Sequence, residues 1–154
     1  MRKKEREIKD ISEIESVIST SDVCRVAFAN GNVPYIVTMN FGYRKGGKSC
    51  LYFHCASEGR KLDMMRNNNY VCFEMDTSHN LYKNEKACDW GMNFSSVVGY
   101  GKIFIVENED ERISGLDHIM EHYGGSGINN YNEAVFKKTT ILRIDIMEMT
   151  GKKR

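Results

Sequence analysis

The 154-residue chain has a single proline, Pro34, and no stretch rich in proline, glycine or serine that would mark a linker. A chain of this length buries a substantial core without staples, so one domain over residues 1–154 is expected. Cysteine is sparse: five residues, an odd number, at spacings that match no disulfide framework. That usage points to a reducing, cytoplasmic setting. Cys50, His54, Cys55, Cys72, His79 and Cys88 show no C-x-x-C or H-x-x-x-H pairing, so no metal site is expected among them. His118 and His122 lie four apart on an expected helix, but no third ligand accompanies them, and a solvated face is expected.

Charge of one sign is also lacking. Lysine and arginine number 22 against 21 acidic residues, which excludes the strong basic excess of a general nucleic-acid binder. Basic clusters occur at Arg2-Lys3-Lys4 and Lys152-Lys153-Arg154, and both read as frayed, solvated ends. No apolar run approaches the roughly 20 residues of a membrane span. The charged N-terminal stretch holds no apolar segment of the kind a secretion signal needs. No G-x-S-x-G, Walker or G-x-G-x-x-G pattern supports a hydrolase or dinucleotide-binding fold.

What is present is alternation. Ser12 with Glu15 and an apolar face of Ile14, Val17 and Ile18 predict a helix over residues 12–19. Residues 23–29 read as a strand, Asn30-Gly31 as a hairpin turn, and residues 35–41 as a second strand opened by Pro34. After a turn at residues 45–48, residues 50–54 read as a third strand, so an antiparallel meander is expected. Residues 58–67 read as a helix, 70–75 as a strand and 77–88 as a polar loop. Residues 94–107 form a long β-branched run whose Gly99 and Gly101 suggest a bulge or bend. Asn108 or Glu109 starts a further helix, in which Ile113, Leu116, Met120 and Tyr123 follow helical spacing and Gly124-Gly125 provides the stop. The last strand spans residues 140–147. The sum is a mainly β, six-stranded antiparallel barrel with peripheral helices.

The most informative stretch is residues 51–62. An apolar strand ends at His54-Cys55-Ala56, small residues follow, and Arg60-Lys61 opens a helix. Helix N-termini present free N–H groups, and two basic side chains add full charges, which together suit a phosphate. The alternative is that Arg60 and Lys61 are ordinary exposed helix residues. His54 is either a hydrogen-bonded rim residue or a proton-handling, ligand-facing group. Trp90 either anchors a surface loop or lines a pocket with the small polar residues after it.

Several runs, taken in order, resemble one family. They are residues 34–42 (PYIVTMNFG), 51–56 with Gly59-Arg60-Lys61-Leu62, 71–74, 87–90, 95–102 and the tail 142–152. The chain resembles the FMN-binding split barrels, and more narrowly the nitroimidazole-resistance branch of the pyridoxamine 5′-phosphate oxidase superfamily. The resemblance implies a homodimer with FMN at the subunit interface. It implies that Ile36, Val37, Thr38 and Asn40 lie along the isoalloxazine, and that His54, Cys55 and Ala56 flank the ring and ribityl chain. Arg60 and Lys61 would hold the phosphate, and Ser96 stands where relatives place a polar flavin-contacting residue. The oxidases carry further basic substrate-binding residues near the C-terminus that have no match here, which argues against pyridoxamine phosphate as substrate. Two activities follow as expectations. One is FMN-dependent reduction of small nitroaromatic compounds, with NAD(P)H as a candidate electron donor and His54 handling protons. The other is a non-enzymatic module that binds flavin or haem, with His54, His79, His118 or His122 as axial ligand.

Overall fold

A computed structural model describes residues 3–125, 127 and 129–154; Arg2 of the N-terminal basic cluster lies outside the described residues. In chain order the elements are β1 (Glu7–Ile8), α1 (Ile11–Thr20), β2 (Cys24–Asn30), β3 (Val33–Met39), β4 (Gly42–Arg44) and β5 (Cys50–Ala56). There follow α2 (Arg60–Asn67), β6 (Tyr70–Tyr82), β7 (Gly91–Ile105), α3 (Glu109–His122), α4 (Glu133–Lys138) and β8 (Thr139–Lys153). The fold is mainly β and antiparallel with peripheral helices, as the alternation predicts. Among the described residues its strands number eight, not six. The two additional ones, β1 against β8 and β4 against β5, are too short to leave a pattern in the sequence. Among the described residues no helix is long and apolar enough to cross a membrane.

The sheet runs β3-β2-β6-β7-β8-β5-β4. Only Asn40 and Phe41 separate β3 at one edge from β4 at the other. This short link brings the two edges together and curls the sheet. The expected meander is therefore not formed. β5 pairs along its whole length with β8, from Cys50↔Asp145 to Ala56↔Thr139, and not with β3. The crossing is pinned by Phe41, which is fully buried, and by Gly42, which lies under α3. A Cβ at Gly42 would stand 2.4 Å from the backbone of His118 and Ile119, so the helix lies directly on β4.

The polar loop expected at residues 77–88 is half strand. Thr77 and Asn80–Tyr82 pair with β7, with a register shift between Thr77 and Asn80, where Ser78 takes a φ of 59°. This hairpin projects beyond the core, so neither face is apolar enough to show alternation. The final strand also runs further than expected, to Lys153. Its end is tied down and not frayed: Lys153 pairs with Glu13 at 2.5 Å, and the Arg154 N–H donates to the Phe94 carbonyl at 2.9 Å. The bulge expected near Gly99 and Gly101 falls between Tyr100 and Gly101. Val26, Phe28, Phe41, Phe53, Phe73, Met75, Leu142 and Ile144 fill the barrel. α1 closes one end with Ile14, Val17 and Ile18, and it is capped by Asp10, which accepts from the Ser12 N–H at 2.9 Å, not by Ser12 itself.

Candidate functional site

β5 is covered on both faces, by the barrel core on one side and by α3 on the other, so Leu51, Tyr52 and Phe53 are all buried. Past Phe53 this cover ends: His54 and Ala56 are exposed and Cys55 half-buried. The strand end opens into a solvent-accessible cleft of about 480 Å³. Val37, Thr38, Met39 and Asn40 enter it from β3 and the link that follows. His54, Cys55 and Ala56 form the β5 wall, α2 adds Lys61, and the junction of α4 and β8 adds Lys138 and Thr139. Gly59, at φ 136°, makes the sharp entry to α2, a conformation that side-chain-bearing residues rarely adopt. No side chain caps this helix; the Leu62 and Asp63 N–H groups donate to the Gly59 carbonyl, and those of Arg60 and Lys61 have no side-chain acceptor.

The cleft is electropositive. Lys61 and Lys138 line it, and no carboxylate does. The lysine ion pairs among the described residues are made elsewhere, by Lys45, Lys137 and Lys153. His54 differs from the other histidines in the same way. His79 meets Asp76 at 2.7 Å, His122 meets the Ser21 carbonyl at 2.8 Å, and His118 lies near Glu121 while stacking on Tyr52. The His54 ring nitrogens have no such partner among the described residues. Burial pushes the Cys55 thiol up, and the nearby Lys61 charge opposes this only in part. Cys55 is thus a neutral wall residue and not a reactive thiolate.

The structure brings Val37, Thr38, Asn40, His54, Cys55, Ala56 and Lys61 together and leaves other expected site residues outside. The Arg60 guanidinium turns away onto the Tyr35 ring, 4.6 Å from its centroid. Ile36 points outward from β3 and is 64% exposed. Trp90 sits on the projecting hairpin, where its indole N–H donates to the Asn84 carbonyl at 2.7 Å. Ser96 pairs with Asp76 and Lys152, at the opposite end of β8 from the residues that pair with His54 and Ala56. That is roughly 35 Å of strand path. Lys138 and Thr139 were not anticipated. The available signal was Asn132, which caps α4 by accepting from the Val135 N–H at 3.2 Å, followed by Glu133 in the first turn and Lys137-Lys138 in the last.

Phosphate binding needs cations, and a flat heteroaromatic ring needs hydrogen-bonding groups along its edge and apolar contact on its face. The cleft has two lysines and the apolar surfaces of Val37, Cys55 and Ala56. Because β3 is an edge strand, one row of its backbone N–H and C=O groups is unpaired within the chain. These residues fit a flavin.

An antiparallel barrel split at one edge, with a cationic cleft at the split, defines the class. The chain belongs to the pyridoxamine 5′-phosphate oxidase family, whose model matches residues 10–153. A candidate 5-nitroimidazole antibiotic resistance protein from Bacteroides thetaiotaomicron is similar in structure, with a TM-score of 0.83 and 32% identity over 96% of this chain and 86% of that one. A flavocytochrome from Azotobacter vinelandii shares the fold at TM-score 0.82 and 18% identity, covering 100% of this chain and 72% of that one. A FAD- and haem-binding protein from Mycobacterium smegmatis shares it at TM-score 0.80 and 12% identity, over 96% and 73%. No curated protein matches the sequence significantly.

Proposed function

We propose that this chain is an FMN-dependent oxidoreductase that reduces small nitroaromatic compounds as a homodimer. The observation that carries the reading is the pairing of two uncompensated lysines with an unpartnered histidine in one cleft at an open strand edge. Lys61 and Lys138 would hold the phosphate, with Arg60 adding charge from the flank. The β3 backbone around Thr38 and Asn40 would meet the ring edge. When bound, the flavin supplies the electron pair. Reducing a nitro group to a nitroso group consumes two electrons and two protons and releases water, and His54 is the group in the cleft that would deliver a proton.

The homodimer accounts for the residues that one chain leaves outside the cleft. Ile36, Ala27, Cys72 and Tyr100 stand side by side across β3, β2, β6 and β7 on the outward face of the sheet. Tyr70 and Phe104 extend this exposed apolar surface. Such a surface suits a second copy of the chain. Trp90 and Ser96 would then reach the flavin from the partner copy.

The test is an absorbance spectrum of the purified protein, an FMN titration, and turnover with NAD(P)H and a nitroimidazole. A flavin spectrum with consumption of the nitro compound is expected. His54→Phe should keep FMN affinity while turnover falls on the order of 100-fold. Protein that neither carries nor binds flavin overturns the reading. Since His54 is also a free imidazole, a haem spectrum, or bound flavin with no turnover, would select the binding-module alternative.

A further inference from the structure

A second cavity, of about 330 Å³, lies behind His54. Leu116 and Met120 of α3 face Val135 and Phe136 of α4 across it, and His54 and Thr139 belong to both this cavity and the cleft. Its chemistry is the reverse of the cleft's. Apart from His54, no ionisable side chain but the Tyr131 phenol lines it. Three of the polar side chains at its rim have partners: Tyr131 donates its hydroxyl hydrogen to Asp117 at 2.8 Å, the Asn132 side chain caps α4, and the Thr139 hydroxyl donates to the Val135 carbonyl at 2.9 Å, while Asn130 is exposed. Tyr131 and Phe136 stack with ring centroids 6.5 Å apart and form an aromatic wall. The cavity is not a packing void, because Met120 is 41% and Val135 63% exposed at its mouth.

The geometry points to a binding site for a neutral aromatic molecule of one or two rings, seated between α3 and α4 with one edge against His54. The volume lies at the lower end of the range for small-molecule sites. A stacked aromatic wall favours a flat ring. Charge is disfavoured because an ion here would lose part of its hydration and, His54 apart, meet no ionised side chain in the lining. A phosphate-bearing molecule would instead be drawn to the lysines of the cleft. The assignment of this occupant as the substrate rests on the flavin reading above; the selectivity of the cavity does not.

The probes are 2-naphthol and 2-naphthoate, which share a ring system and differ in charge. Their binding is measured by saturation-transfer NMR and fluorescence, with and without FMN, and FMN binding is titrated separately. 2-Naphthol is expected to bind at least roughly tenfold more tightly than 2-naphthoate to both forms. Val135→Trp fills the chamber from a solvent-exposed position, and Leu116→Trp fills it from α3. Each should weaken 2-naphthol roughly tenfold while FMN affinity stays within about twofold. Equal affinities, a preference for the carboxylate, or wild-type 2-naphthol binding in Val135→Trp would overturn the proposal. FMN binding without 2-naphthol binding removes the chamber and leaves the flavin reading standing. 2-Naphthol binding without FMN binding does the opposite.

Discussion

Two cavities share the wall formed by His54 and Thr139, and they are built differently. The cleft comes from strand ends, an open strand edge and the first turn of a helix, and its charges are lysines with no counter-ion. The chamber comes from side chains on two helices laid outside the barrel, and it presents carbon. Backbone geometry sets the cleft, so it is tied to the barrel itself. The chamber is set by a few side chains on α3 and α4, so its size and shape can change without touching a strand. A fold that separates these tasks can keep one cofactor site and vary what is brought to it.

The largest effect should come from reversing the charge of the cleft. In Lys61→Glu/Lys138→Glu, FMN affinity should fall by about 100-fold or more, since each charge-assisted contact contributes about 1.5–3 kcal/mol. 2-Naphthol binding should be unchanged. A parallel loss of both would mean that the two cavities are one site. The same titration ranks the adjacent basic residues. Arg60→Ala should weaken FMN less than Lys61→Ala, because Arg60 is committed to the Tyr35 ring. The reverse order would make Arg60 the principal phosphate anchor.

A middle-sized effect is expected at Arg112, which joins the two regions. Its guanidinium donates to the carbonyls of Phe136 at 2.8 Å and Thr139 at 3.0 Å, and it lies 4.2 Å from the Phe136 ring centroid. It thereby pins the C-terminal end of α4 to α3. α4 carries Lys138 into the cleft and Val135 and Phe136 into the chamber. Arg112→Ala should therefore weaken FMN and 2-naphthol together, each several-fold, with a stability loss of about 1–3 kcal/mol. Loss of only one ligand would show that α4 serves a single cavity.

How much of this was legible in the sequence depended on range. The strand ending at His54 was readable because the apolar run breaks there and a basic pair follows. That Lys61 enters the cleft and Arg60 does not was unreadable, since neighbours on a helix point about 100° apart and only packing decides which one faces the ligand. Lys138 was missed because α4 has six residues, too few for a period to register. The chamber joins His54 to Leu116 and Val135, and those two read alone as ordinary core or surface. The pairing of β5 with β8 was hidden for a related reason. It depends on the chain crossing at Phe41 and Gly42, and the Cys50 strand looks the same whichever neighbour it meets. Trp90 and Ser96 lie far from His54 in one chain, so their expected role depends on a second copy.

The smallest effect concerns what holds α3 in place. Glu111, near its start, accepts from Arg143 at 2.6 Å and from the Tyr52 hydroxyl at 3.1 Å. Burial alone would raise the Glu111 carboxyl, but the hydrogen bond and charge of Arg143 outweigh this and hold it below its ordinary value of 4.5. A carboxyl depressed in the folded state contributes stability that is fully present above its unfolded value and is lost as pH falls through its folded value. The pair is partly open to solvent, so the contribution is under about 1 kcal/mol. Acidification below about pH 4.5 should therefore loosen α3 and weaken 2-naphthol. Glu111→Gln should flatten that acid dependence. An unchanged acid profile in this variant would mean that the α3 wall is held by packing on Tyr52 and Ile141 through Gly115, and not by the ion pair.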